Sequence, residues 1–188
     1  MASRKYPGST PWLLFFLLLS AGLAWVDSAA ADAAGRADNL YTKGSKAYEA
    51  GGYVQAAKYF LQAADLDSKA GLPRRLDLAY DYKSLGLCYE ALTQTQAALD
   101  AYVQSQDIFR ELGEVQEAAQ VLNLIGLQWF QQGQYPTAAE YFREYLKAAR
   151  KVEAADEVVQ ALNNLGTLFL NRRDYMTAAR YFLESIAI

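Results

Sequence analysis

The nine residues 122-LNLIGLQWF-130 and, forty positions further on, 162-LNNLGTLFL-170 decide how this chain folds. Each sets a glycine, Gly126 or Gly166, in the middle of an apolar run of helical length. A glycine inside a helix costs about 1 kcal/mol against alanine, so its return at the same place needs a packing reason. Working outward, 82-YKSLGLCYE-90 repeats the pattern around Gly86, and 40-LYTKGSKAY-48 repeats it in weaker form around Gly44. The four glycines are separated by 42, 40 and 40 residues. Twelve residues after each comes an alanine, and four beyond that an aromatic: Ala56 and Phe60, Ala98 and Tyr102, Ala138 and Phe142, Ala178 and Phe182.

These stretches resemble the tetratricopeptide repeat, whose signature is W-x-x-L-G-x-x-Y followed by A-x-x-x-F. The resemblance covers about Ala37 to Ile188, as repeats near 37–70, 79–112, 119–152 and 159–188. It implies an all-α solenoid: four helical hairpins, each of a helix A and a helix B, stacked into a right-handed superhelix. Helices are expected at 36–50, 53–68, 74–92, 95–111, 115–132, 135–151, 155–172 and 175–188. Glycine in helix A and alanine in helix B remove bulk where the two axes approach to about 8–10 Å. The large residues beside them (Tyr89, Trp129 and Phe169; Phe60, Tyr102, Phe142 and Phe182) are expected to fill the space between hairpins. The family's closing proline is replaced by Ser68, Arg110 and Arg150, which lets the helices run on and lengthens the period from 34 to about 40. Tyr145 stands where the family keeps a small residue.

Composition narrows the function. The 188 residues carry a net charge of −3 and no Lys/Arg-rich run, so the basic stripe that nucleic-acid binding requires is missing. There is no histidine and one cysteine, Cys88. That leaves neither a His general base nor a Cys/His metal set, and it rules out an intramolecular disulfide. No cofactor, metal or catalytic residue is expected. Cys88 reads as a small packing residue, and the pairs Asp65/Asp67 and Asp156/Glu157 read as solvated helix ends.

Residues 1–31 read as a secretory signal peptide. Arg4 and Lys5 precede an apolar run from Trp12 to Val26, and Ala29-Ala30-Ala31 offers an A-x-A cleavage site before Asp32. The run is shorter than the roughly 20 apolar residues of a spanning helix, so cleavage is favoured over an anchor formed by residues 12–26. Removal of Arg4, Lys5 and Asp27 leaves 16 basic against 20 acidic side chains, a net charge of −4. The expected location is periplasmic or secreted, with membrane contact only through an uncleaved signal segment.

In the resembling family helix A lines the concave side of the solenoid. Register then places Tyr41, Ser45 and Tyr48 in the groove, followed by Tyr80, Lys83, Leu87 and Glu90. The third copy supplies Gln120, Asn123, Leu127 and Phe130, and the fourth Gln160, Asn163, Asn164, Thr167 and Asn171. The amides among these suit an extended peptide backbone, and the apolar members offer contact area to a partner peptide or helix. Family members that clamp the tails of cytosolic chaperones use basic and amide side chains here. Lys83 matches that use, whereas Leu87 and Leu124 do not.

The leading expectation is an exported scaffold or adaptor that binds a protein partner. The alternative is the N-terminal sensory region of a longer signalling protein of histidine kinase or cyclase type. The last residues, Ser185-Ile186-Ala187-Ile188, lack the polar cap of a finished solenoid. They are expected to meet a further segment or to form an end-to-end oligomer. Alanine at Asn123, Asn163 and Asn164 together is expected to weaken partner capture without loss of helicity, read by pull-down and circular dichroism.

Overall fold

The structure, a computed structural model, describes the backbone of residues 11–188 and the side chains of residues 29–188. Eight α-helices follow one another among the described residues: α1 (Pro11–Glu49), α2 (Tyr53–Ala70), α3 (Arg75–Ala91), α4 (Thr95–Leu112), α5 (Val115–Gln131), α6 (Tyr135–Lys151), α7 (Ala155–Asn171) and α8 (Tyr175–Ile186). A single 3-10 turn, Leu72–Arg74, separates α2 from α3. Each helix packs against the next in sequence, as a solenoid of hairpins requires. From α2 onward every helix begins and ends within two residues of expectation.

Helix α1 departs from the expected 36–50. It runs unbroken from Pro11 and passes through Ala29-Ala30-Ala31, because the alanine-rich stretch before Ala37 favours helix and contains nothing that stops one. Arg4, Lys5 and the side chains of Trp12–Val26, on which the signal-peptide reading rests, lie outside the described residues.

Each repeat glycine is covered by the aromatic of helix B. A Cβ added at Gly86 would lie 2.4 Å from the Tyr102 ring, and at Gly126 or Gly166 2.6 Å from Phe142 or Phe182. Gly44 faces Phe60 in the same way, at 2.8 Å. The aromatic of helix B therefore lies across the glycine of its own hairpin, and Phe60, Tyr102 and Phe142 also belong to apolar clusters shared with the next hairpin, as expected. The alanine four residues before it is buried in every copy. The aromatics of helix A behave as expected, since Trp129 packs against both the second-to-third and the third-to-fourth hairpin cores. Tyr145, the bulky exception, is buried and donates its hydroxyl to Gln160 Oε1 at 2.7 Å. Burial of Tyr102 and Tyr145 raises both phenol pKa values.

Turns between helices are short and end in the left-handed region. Thr93 (φ 58°) illustrates the pattern: its N–H bonds Glu90 O and the Gln94 N–H bonds Tyr89 O, which satisfies the carbonyls at the end of α3. Gly71 is different, with φ 71° and ψ −140°, a region open essentially to glycine alone. It redirects the chain into the 3-10 turn that carries Arg74 back beneath α2.

The Gly86→Ala protein is expected to lose about 1–3 kcal/mol, the range for overpacking a close contact. Gly44→Ala should cost less. The Tyr102 ring is held at both ends, by its burial and by a 2.7 Å hydrogen bond from its hydroxyl to Glu90, and has nowhere to move. Urea denaturation of the two variants measures the difference.

Candidate functional site

The A helices α1, α3, α5 and α7 lie side by side, which their polar side chains establish by reaching across to one another. Lys83 Nζ donates to Gln120 Oε1 at 2.9 Å, and Gln120 Nε2 donates to Glu157 Oε1 at 3.0 Å. Gln116 donates to the same Glu157 oxygen at 3.1 Å. One relay thus spans three repeats. A second contact joins Asn164 Nδ2 to Asn123 Oδ1 at 2.6 Å, and Tyr41 meets Ser84 across the first pair. Lys83 has its pKa lowered by burial, against the pull of Glu117 and Glu157.

The sequence-derived groove residues therefore separate into two groups. Gln120, Asn123 and Asn164 bond one another or their charged neighbours, and Asn123 is only 6% exposed. Gln160 accepts from Tyr145, Asn163 accepts from Ser185, and Asn171 donates to Thr167 O; all three remain exposed. Tyr48, Tyr80, Lys83, Leu87, Leu127 and Phe130 are half-buried along the face. Tyr48 stacks edge-on against Tyr53, and Tyr80 against Phe109. The amide triple of Asn123, Asn163 and Asn164 mixes both groups: alanine there also removes the link between α5 and α7.

Two features went unread in the sequence. Asp67, grouped with Asp65 as a solvated helix end, is instead buried at 2% exposure and receives Arg74 Nε at 2.9 Å. Glu157, half of the second pair, is the terminus of the amide relay. The A-face partners fall at sequence separations of 37 and 41, that is, one period minus three residues or plus one. Polar residues at those offsets are the signal that would have revealed the relay. Cys88 is buried with its thiol free, and burial pushes its pKa up to about 11.

At the edge of the A face, between the first two repeats, a cavity of about 380 Å³ is lined by Asp38, Tyr41 and Thr42 of α1, Asp67 of α2, Arg74, and Asp77, Tyr80 and Asp81 of α3. Arg74 also reaches Asp38 at 2.5 Å and Asp77 at 3.2 Å. Among the described residues no group of three His, Cys, Asp or Glu side chains is arranged to hold a metal ion, nor is any helix long and apolar enough to cross a membrane.

The sequence pattern of the family described as "Soluble NSF attachment protein, SNAP" matches residues 19–187. No curated protein sequence matches significantly. Among solved structures, aspartyl phosphate phosphatase F from Bacillus subtilis is similar with a TM-score of 0.77 at 16% identity, over 82% of this chain and 40% of that one. The Rap conjugation gene regulator of plasmid pLS20, in complex with the Phr* peptide, has a TM-score of 0.66 at 20% identity, over 79% of this chain and 41% of that one. MamA has a TM-score of 0.65 at 18% identity, over 81% of this chain and 77% of its own. The chain thus spans about two fifths of the length of the first two structures, and these likenesses establish the helical-repeat fold.

Loss of the central relay is testable by stability. Gln120→Ala leaves half-buried Lys83 and Glu157 without their shared partner and is expected to cost about 1–3 kcal/mol. Gln116→Ala, which removes only an exposed donor, should change the denaturation midpoint by less than about 0.5 kcal/mol.

Proposed function

The chain belongs to the soluble NSF attachment protein family, and from that premise we propose that it is a protein-interaction scaffold whose A-helix face receives a peptide or helix of a partner. The observation that carries this reading is the division of labour along that face. Lys83, Gln120 and Glu157 bond one another, as do Asn123 and Asn164, while Leu87, Leu127 and Phe130 remain half-exposed beside the exposed acceptors and donors of Gln160, Asn163 and Asn171. Apolar side chains aligned across two repeats, with polar groups at one end, suit an amphipathic segment: burial supplies affinity and the amides set its register. The Rap regulator with its bound Phr* peptide is an example of a similar fold that accommodates a peptide.

We also propose export, with residues 1–31 as the signal and Asp32 as the first mature residue. The small-residue run Ala29–Ala31 after the apolar stretch supports this. A second reading, the sensory part of a larger signalling assembly, is favoured by one feature. Ile186 on α8 is 80% exposed, whereas its repeat equivalent Leu146 is 7% exposed beneath α7. A further helix packed there would bury it in the same way.

A variant carrying Leu87→Ser and Leu127→Ser is expected to lose partner capture at least tenfold in a pull-down from the exported fraction, with unchanged far-UV circular dichroism. Undiminished capture rejects the A face. Mass spectrometry of the chain from its native host is expected to find an N-terminus at Asp32; an intact Met1 or Ala2 start rejects export.

A further inference from the structure

We propose that the cavity between the first two repeats is a docking pocket for an organic cation, an alkyl guanidinium or ammonium group, contributed by the partner segment that the A face receives. This deepens the scaffold reading and rests on it for the source of the cation, but the pocket itself is argued from its own chemistry.

The repeat register shows what is unusual here. Asp67 occupies the position of Phe109 and Ala149 in the next two copies, and Asp81 that of Val121 and Ala161. All four equivalents are fully buried apolar residues. The fold therefore calls for hydrocarbon at both places, and this junction alone supplies two carboxyl groups. They are as buried as the residues they replace, with Asp67 2% and Asp81 1% exposed. A buried carboxylate is costly unless paired. Asp77 needs no such explanation: Glu117 and Glu157 share its register, each near the start of an A helix where the dipole favours acid.

Arg74 answers only part of this charge. Its guanidinium grips Asp67 through Nε and Nη2 and spreads its remaining donors to Asp38 and Asp77. One cation faces four carboxyl groups, no N–H or O–H donor reaches the buried Asp81 Oδ2, and the Asp81 carboxyl shares a hydrogen bond with Asp67 when it carries a proton. Burial and the adjacent Asp67 push the Asp81 pKa up to about 8, with Arg74 pulling the other way. Asp81 is among the residues that line an open cavity of about 380 Å³, within the size range of small-ligand sites. Two further walls are the Tyr41 and Tyr80 rings, braced edge-on by Phe60 and Phe109. Aromatic faces beside carboxylates are the surroundings a guanidinium or alkylammonium prefers. The carboxylates fan out around Arg74 instead of converging on one point, which suits a planar or branched organic donor.

Charge along the approach agrees. Glu114 and Glu117 of α5 lie close enough to Tyr80 to raise its pKa together with burial. The half-buried cation of the face, Lys83, is already committed to Gln120.

A cation in the pocket would hold Asp81 in its ionised form, so binding is coupled to release of a proton. The charged and titratable groups facing Asp81 are Asp38 and Tyr41 on α1, Asp67 on α2, Arg74 on the turn, and Asp77 and Tyr80 on α3. Affinity should accordingly rise as pH increases from 6 to 9. The same group also sets a stability signature. The unfolded carboxyl ionises near its ordinary value while the folded one keeps its proton to about 8, so the folded state binds more protons in between. Stability falls as pH rises from about 4 to 8 and is level above.

The experiment titrates the full chain with three probes by calorimetry and NMR: the capped peptide acetyl-Gly-Gly-Arg-Gly-Gly-amide, its citrulline counterpart, and free agmatine. Saturable binding of the arginine peptide or agmatine is expected, at least tenfold weaker for citrulline and at least fivefold tighter at pH 9 than at pH 6. Tighter binding of the peptide than of agmatine assigns the cation to a polypeptide, and the reverse to a free amine. Asp81→Asn, isosteric with the protonated acid and therefore expected to fold, should abolish the pH dependence and weaken binding about tenfold. Asp77→Asn at the mouth should weaken it less. The Leu87→Ser, Leu127→Ser variant keeps agmatine binding, which separates failure of the groove from failure of the pocket. No saturable binding by either cation, equal binding of citrulline, or an Asp81→Asn protein that binds as the parent overturns the proposal.

Discussion

Each hairpin depends on a ring lying on a glycine. The aromatic sixteen residues after Gly44, Gly86, Gly126 and Gly166 covers its bare Cα so closely that even a methyl group would intrude. The contact fixes how near the two helices come and at what height along them. Burying such a ring stabilises by about 1.5–3 kcal/mol, more than the glycine forfeits in helix propensity. Because the contact is internal to a hairpin, four hairpins acquire one shape independently. Stacking then joins units that are already alike, as in other quasi-one-dimensional proteins.

Stacking leaves polar groups stranded between neighbouring A helices, and the repeat pairs several of them with one another. With one period between equivalent residues, side chains one turn back or one step forward on the next helix come into reach. Lys83, Gln120 and Glu157 form a chain by this rule, and Asn123 and Asn164 a pair. The two ends of the solenoid differ. The outer side of α1 bears Arg36, Asn39 and Lys43, all exposed, at positions where α7 carries buried Val158, Ala161 and Leu165. That side is polar. On α8 the corresponding free surface is apolar, with Leu183, Ile186 and Ile188 exposed.

Most of the architecture was readable because it rests on residues that recur. The recurring glycines and turn residues located seven helices to within two residues, and they located the register of the A face. The ring over the glycine was not readable from the same signature, since a motif names the small residue and the aromatic without saying that they touch. The beginning of α1 was missed because nothing local ends a helix in the alanine-rich stretch before Ala37, while the expected boundary came from the repeat unit. The groove amides were recognised by type, but type does not reveal that Gln120 is already engaged on both sides. Asp67 was misjudged for a related reason. Its environment comes from four separate elements, and a pattern along one helix cannot show an arginine arriving from a turn.

The irregularity of the repeat coincides with its unusual chemistry. The first interval between glycines is 42 residues where the others are 40, and the two additional residues lie in the Gly71–Arg74 segment between α2 and α3. Later B-to-A junctions need only two or three residues, two between Leu112 and Val115 and three between Lys151 and Ala155. Stability alone does not account for the longer one, because a shorter junction with apolar residues in place of Asp67 and Asp81 is what the chain itself uses twice. Replacing buried ion pairs with hydrocarbon is commonly neutral or stabilising. In repeat proteins an insertion in a single unit tends to sit on the working face. Here it delivers Arg74, opens a cavity and surrounds it with acid, and it does so on the side where the A helices meet. That conjunction separates a site from a packing defect: one insertion and two apolar-to-acid exchanges occur at the same junction.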